Sequence, residues 1–134
     1  MTDQDRYNAQ DHHQLGKKMA VRHWGEERIR KAEEEFRGHD NAFWDFATEA
    51  WSLFARSTLT PRERSLCMVC ILTCLDEPEE LGIHIRAALA NGATSAEVKE
   101  AILQCCLYAG MPKGRKAFRS AEKTLAELEQ KPSD

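Results

Sequence analysis

Thr60-Pro61-Arg62-Glu63-Arg64-Ser65-Leu66-Cys67-Met68-Val69-Cys70-Ile71-Leu72-Thr73-Cys74-Leu75 is the stretch on which the fold turns. Its first four residues form a helix start signal. Thr60 can cap the free amides, Pro61 suits the first turn, and Glu63 can reach back to complete a capping box. After Ser65 the residues are nearly all apolar as far as Leu75, which predicts a central core helix. Asp76 to Pro78 make a turn into a further helix that carries Glu80 and His84. Thr94-Ser95-Ala96-Glu97 repeats the capping-box pattern and opens a helix to about Ala109. Gly110-Met111-Pro112 breaks the chain before a last amphipathic helix to about Glu129.

Upstream the signals are also helical. Residues Met1 to about Gln10 read as a disordered arm. A charged helix is expected from about Asp11, interrupted near Gly25 and ending around Gly38. Asn41 can N-cap the next helix, in which Phe43, Phe46, Ala47, Ala50, Trp51 and Phe54 recur at helical spacing and predict its apolar stripe. The sum is an all-α single domain of about six helices over 11–130, with short connections and no repeat. The tail from Lys131 to Asp134 is expected to fray.

Composition narrows the function classes. A chain of 134 residues is most simply one domain and buries roughly two-thirds of its unfolded surface, enough for a core without staples. Its 42% apolar and 31% charged residues fit a globular protein. The formal net charge of −3, with both signs interspersed, offers nothing to nucleic acid or an anionic membrane. No apolar run approaches the roughly 18 residues of a membrane span. The acidic, polar Met1-Thr2-Asp3-Gln4-Asp5 is unlike a secretory signal. Five cysteines, an odd number, then read as free thiols in a reducing cytoplasm.

Few side chains group in a way that suggests chemistry. Cys67 and Cys70 have redox or metal spacing, but they share an apolar helix with Cys74, where cysteine packs as a small hydrophobe. No second pair follows at zinc spacing. Cys105-Cys106 reads the same way, His12 and His13 lie near the arm, and His23 and His39 have no well-placed acid. Glu80 and His84 differ. At i, i+4 they share one helix face, where the carboxylate can orient the imidazole and favour its protonated form. Arg86 lies two residues on. On spacing alone the plainer reading is a solvated charged face. Arg64, in the first turn after Thr60, can grip a carboxylate through both ends of its guanidinium, or simply pair with Glu63 or Glu80.

Five elements in register carry a resemblance. They are Arg64-Ser65-Leu66, Glu80-Leu81-Gly82-Ile83-His84, Ala88-Leu89-Ala90-Asn91-Gly92-Ala93-Thr94, Glu97-Val98-x-Glu100 and Tyr108-Ala109-Gly110-Met111-Pro112. In this order and spacing the chain resembles the carboxymuconolactone decarboxylase family from about Leu59 to Ala121. The resemblance implies an alkylhydroperoxidase D-like helical fold, a homo-oligomer (hexamer or trimer), and chemistry with no cofactor and no metal. Relatives of the alkylhydroperoxidase D type carry a Cys-x-x-Cys seven and four residues before the motif histidine, where this chain has Glu77 and Glu80. That favours a decarboxylase over a thiol peroxidase or disulfide reductase. Two positions depart from the decarboxylase pattern. Ala50-Trp51 and Phe54-Ala55-Arg56 stand for a Trp-Gly and a Trp-x-Arg, and Gln104 stands for a histidine.

The implied reaction is loss of CO2 from an unsaturated lactone acid, or a related carboxylic acid, in aromatic catabolism. The resemblance points to His84 as proton donor or oxyanion stabiliser, with Glu80 orienting it. Arg64 would hold a substrate carboxylate, and Trp51, Gln104 and Tyr108 would wall the pocket. A non-catalytic ligand-binding relative is the remaining alternative, motivated by the two departures.

Overall fold

The computed structural model describes residues 2, 11–38 and 41–131. The fold is all-α, with seven α-helices and one 3-10 turn and no strand among the described residues. The expected arm lies outside the described residues except for Thr2, as do His39 and the end of the tail. The chain divides into two compact units, 1–59 and 60–134.

The N-terminal unit holds α1 (His12–Trp24), α2 (Glu26–Arg37), α3 (Asn41–Trp51) and the 3-10 turn Ser52–Ala55. Asp11 caps α1, accepting from the amides of His13 and Gln14. Gly25, at φ 90°, both ends α1 and starts α2, a backbone conformation that favours glycine. Exposed ion pairs such as Arg30–Glu27 cover α2, whose one buried residue is Ile29. Gly16 lets α1 lie directly on α3, since a Cβ there would come within 1.7 Å of the Thr48 carbonyl oxygen.

That close approach corrects the predicted stripe of α3. The buried positions are Trp44 and Thr48, continuing to Ser52, at i, i+4 and i+8. Phe43 and Phe46 are exposed, while Trp51 and Phe54 are half-buried. Thr48 and Ser52 lie against Gly16, and the Thr48 hydroxyl is satisfied by donating to the Trp44 carbonyl at 2.7 Å. The rest of the unit is joined by rings. Trp51 meets Trp24 at 5.2 Å and Trp44 at 5.6 Å between centroids, and Phe36 meets Phe43 at 5.1 Å. Asn41 is the first residue of α3 rather than a cap outside it.

The C-terminal unit holds α4 (Pro61–Cys74), α5 (Pro78–Ala90), α6 (Ser95–Ala109) and α7 (Met111–Gln130). Both predicted capping boxes form, Thr60 with Glu63 and Thr94 with Glu97. The core comprises Val69, Leu81, Ile85, Ala88, Ala93, Val98, Ile102, Ala117 and Ala121. Its central element is α5, which buries Leu81, His84, Ile85, Ala87 and Ala88. The prediction that α4 is the central core helix is therefore corrected. It buries Ser65, Val69 and Thr73 along one stripe and leaves Cys67, Ile71 and Cys74 exposed. A helix apolar all round has no preferred face of its own, so its neighbours decide which face is covered. The same correction applies to the cysteines. Cys105 is buried, Cys70 and Cys106 are half-buried, and all five are free thiols.

Candidate active site

His84 is placed by the arithmetic of α5. Leu81, His84, Ile85 and Ala88 fall at i, i+3, i+4 and i+7, the core-facing stripe of a helix. The imidazole thus sits in a mainly aliphatic setting, with His84 only 6% exposed. Burying a polar ring costs desolvation free energy that an aliphatic side chain at the same position would not incur. Glu80, one turn earlier in the acidic first turn of α5, is exposed. A carboxylate there also opposes the positive end of the helix dipole. The two residues of the sequence reading are therefore an exposed carboxylate and a buried imidazole, one helical turn apart.

Arg64 approaches from the other end of the same helix pair. Ser65 is fully buried, and its hydroxyl accepts from the Asn91 side-chain amide at 3.0 Å. This bond ties the first turn of α4 to the C-cap of α5. Arg64, half-buried, is the residue before it. His84 precedes Asn91 by seven residues, roughly 10 Å along the axis, and Glu80 by eleven, roughly 16 Å. His84 accordingly stands between the Arg64 end and the Glu80 end of the α4–α5 pair.

The other predicted residues go elsewhere. Gln104 is exposed on α6 in a groove of 390 Å³ with Glu100, Leu103, Cys106, Leu107 and Met111. Tyr108, one turn on, is 99% exposed. Neither shares the buried stripe of His84. Trp51 belongs to the N-terminal unit, where it packs with Trp24 and Trp44. Arg86, which the sequence placed beside the dyad, instead pairs with Glu127 on α7.

Two features escaped the sequence reading. Arg62 pairs with Glu97, joining the first turns of α4 and α6. The arginine, with the Thr94 amide, draws the Glu97 carboxyl down to about 2. Nothing in the spacing of residues 62 and 97 announces this contact. The second is a groove of 590 Å³ between α5 and α7, edged by Arg86, Lys116, Arg119 and Lys123. Lys116, Arg119, Ser120, Lys123, Thr124 and Glu127 recur at helical spacing, a polar face that the sequence does display. Among the described residues no group of three or more histidine, cysteine or acidic side chains is arranged to hold a metal ion. No helix among them is long and apolar enough to cross a membrane.

The sequence of the chain matches known proteins. Residues 40–123 match the carboxymuconolactone decarboxylase family, which takes in all of α3 to α6 and much of α7. The chain is 32% identical over 130 residues to the 4-carboxymuconolactone decarboxylase of Acinetobacter baylyi, covering 96% of this chain and 92% of that protein. It is 32% identical over 80 residues to a nitrosuccinic acid decarboxylase of Metarhizium robertsii, covering 59% of this chain and 56% of that protein. An uncharacterised 15.0 kDa protein of Paracoccus denitrificans is 36% identical over 84 residues, 59% of this chain and 62% of its own length.

Proposed function

We propose that this chain, which belongs to the carboxymuconolactone decarboxylase family, is a cofactor-free carboxy-lyase acting on an unsaturated lactone acid of the kind met in aromatic breakdown. The observation that carries the reading is the burial of His84 in the core-facing stripe of α5, one turn from an exposed glutamate. The relatives named as decarboxylases of 4-carboxymuconolactone and nitrosuccinic acid support it.

In such a substrate the bond to the departing CO2 supplies an electron pair. The pair moves through the conjugated double bond onto the lactone carbonyl, so the lactone is itself the electron sink. The protein must then stabilise an oxyanion and return one proton to carbon. His84 supplies the hydrogen bond and the proton, worth most where water is excluded. Glu80, at the wet end of the helix, orients the imidazole and restores its proton from solvent. Arg64 holds a substrate carboxylate as a two-pronged partner. Trp51 packs with Trp24 and Trp44 in its own unit.

Leu103, Leu107, Tyr108 and Met111 are all more than half exposed on α6 and the start of α7. Large apolar side chains grouped in this way suit an interface. A homo-oligomer, hexamer or trimer, buries them against a neighbouring copy, and Gln104 and Tyr108 then wall an adjacent subunit's pocket. The five free thiols suit a reducing cytoplasm.

The test is a panel of unsaturated lactone acids, with γ-carboxymuconolactone and nitrosuccinic acid included, followed by CO2 release from purified protein. Turnover of a lactone acid is expected. Absence of CO2 from every lactone acid overturns the reading, and turnover of nitrosuccinic acid alone moves the substrate class to open-chain acids.

A further inference from the structure

Helices α5 and α7 lie side by side, and rising positions on one meet rising positions on the other. Ser120 donates to the Pro78 carbonyl at 2.7 Å, a Cβ at Gly82 would stand 3.1 Å from the Thr124 hydroxyl oxygen, and Arg86 pairs with Glu127. Lys116 is held by Asp76 at 2.8 Å, just before α5 begins. These ties fix both walls of the 590 Å³ groove between the helices, a volume within the range of small-molecule sites. They also occupy two of its four cations, Arg86 and Lys116.

The other two, Arg119 and Lys123, are exposed and pair with no acid among the described residues. They stand at i, i+4 on α7, where like charges on adjacent turns weaken a helix slightly. Arg30 on α2, by contrast, is matched at that spacing by Glu34. Glu79 on the opposite wall is the remaining acid of the lining, and it keeps a carboxylate to the α7 side. The floor between the walls is apolar, made by Pro78, Gly82 and Ile83, and the aliphatic stems of the cations extend it. An exposed basic face by itself is simply solvated. Here a like-charged pair stands over an apolar floor between walls that are already fixed, which complements an anion with a hydrocarbon body.

We propose that the α5–α7 groove binds an organic dicarboxylate, with its two carboxylates on Arg119 and Lys123 and its hydrocarbon body over Gly82 and Ile83. Arg119 takes one carboxylate through both ends of its guanidinium, and Lys123 takes the other as a point charge. The two Cβ atoms are about 5–6 Å apart, so one flexible diacid reaches both cations. A monocarboxylate leaves one cation unmatched, and inorganic phosphate leaves the apolar floor bare. The like-charge repulsion along α7 is relieved only when both cations are matched. His84 lies on the core-facing stripe of α5, a different face from the one that lines the groove. Binding here therefore needs neither His84 nor CO2 release, and it stands or falls apart from the proposed decarboxylation.

The experiment titrates the full chain with adipate, hexanoate and inorganic phosphate in a calorimeter at low ionic strength. Adipate is expected to bind about tenfold or more tightly than either of the others, and to weaken as salt is added. Arg119→Gln/Lys123→Gln, a double change at exposed positions, should weaken adipate by about tenfold or more while circular dichroism stays that of the parent. Arg64→Gln, which removes the carboxylate grip at the candidate active site, should leave adipate binding as it is. Phosphate binding as tight as adipate overturns the proposal, as does a folded double variant that binds adipate like the parent. Absence of any adipate heat, or its loss in Arg64→Gln alone, overturns it equally.

Discussion

Rings join the N-terminal unit, where Trp24, Trp44, Trp51, Phe36 and Phe54 meet in edge and stacked contacts, whereas small aliphatic side chains fill the C-terminal unit around Val69, Ile85, Val98 and Ile102. The helix starts differ as well. Among the described residues the first unit has an aspartate cap on α1, and the second has two complete capping boxes. The candidate chemistry follows the second style of construction. Short aliphatic residues let helices pack closely enough for the buried imidazole of His84 to be held in a defined place. A ring cluster tolerates several arrangements of similar contact, so it fixes a unit without fixing a site.

The largest expected effects test whether the two cores depend on their different materials. Trp44→Ala removes a fully buried ring and should cost about 4 kcal/mol, while Ile85→Ala should cost about 3 kcal/mol. Denaturant unfolding monitored by tryptophan fluorescence and by circular dichroism reads both. A Trp44→Ala variant as stable as the parent would break the account of the N-terminal unit.

Next in size are the glycine contacts. At Gly16 an added methyl meets a backbone oxygen at 1.7 Å, and a backbone cannot swing aside. Gly16→Ala should therefore cost about 3 kcal/mol, despite alanine's better helix propensity. At Gly114 the nearest atom is the Cys106 sulfur at 2.1 Å, the tip of a side chain that can rotate. Gly114→Ala should cost about 1 kcal/mol. Equal losses in the two variants would mean that the close approach of α1 to α3 is not the rigid contact described.

The smallest effects separate the units by pH. Burial holds His23 below its ordinary 6.5. Its contribution is present above about that pH and is lost as pH falls through the lowered value. Glu97 moves from 4.5 to about 2 because of Arg62, so its contribution is present above 4.5 and is lost between there and about 2. Stability against pH should thus fall in two limbs. His23→Phe should flatten the limb below 6.5, and Glu97→Gln the more acidic one. Loss of both limbs in a single variant would show that the assignments to separate units are wrong.

The sequence is legible in proportion to how local the determining contact is. Both capping boxes, the break at Gly25 and the break at Gly110 depend on residues within one turn, and all are found as read. The stripe of α3 cannot be placed from spacing because aromatic residues lie on several of its faces, and the approach of Gly16 to Thr48 selects the face that is buried. The apolar run of α4 predicts burial all round because its sequence has no polar face to mark the side left open. At the candidate site, Glu80 and Arg86 on either side of His84 make a solvated charged face the plainer reading of the sequence, and the burial of His84 on the stripe of Leu81, Ile85 and Ala88 corrects it. The hydrogen bond from Asn91 to Ser65 spans 26 positions and could not be read from spacing.

The central claim is that His84 carries the proton in a decarboxylation. The most direct measurement is kcat for CO2 release from the lactone acid that the parent turns over, compared between the parent and His84→Ala at matched folded concentration. A loss of about a hundredfold or more in kcat is expected, from the roughly 3–4 kcal/mol that a preorganised donor supplies at an oxyanion. A His84→Ala protein that is folded and releases CO2 as fast as the parent would contradict the account.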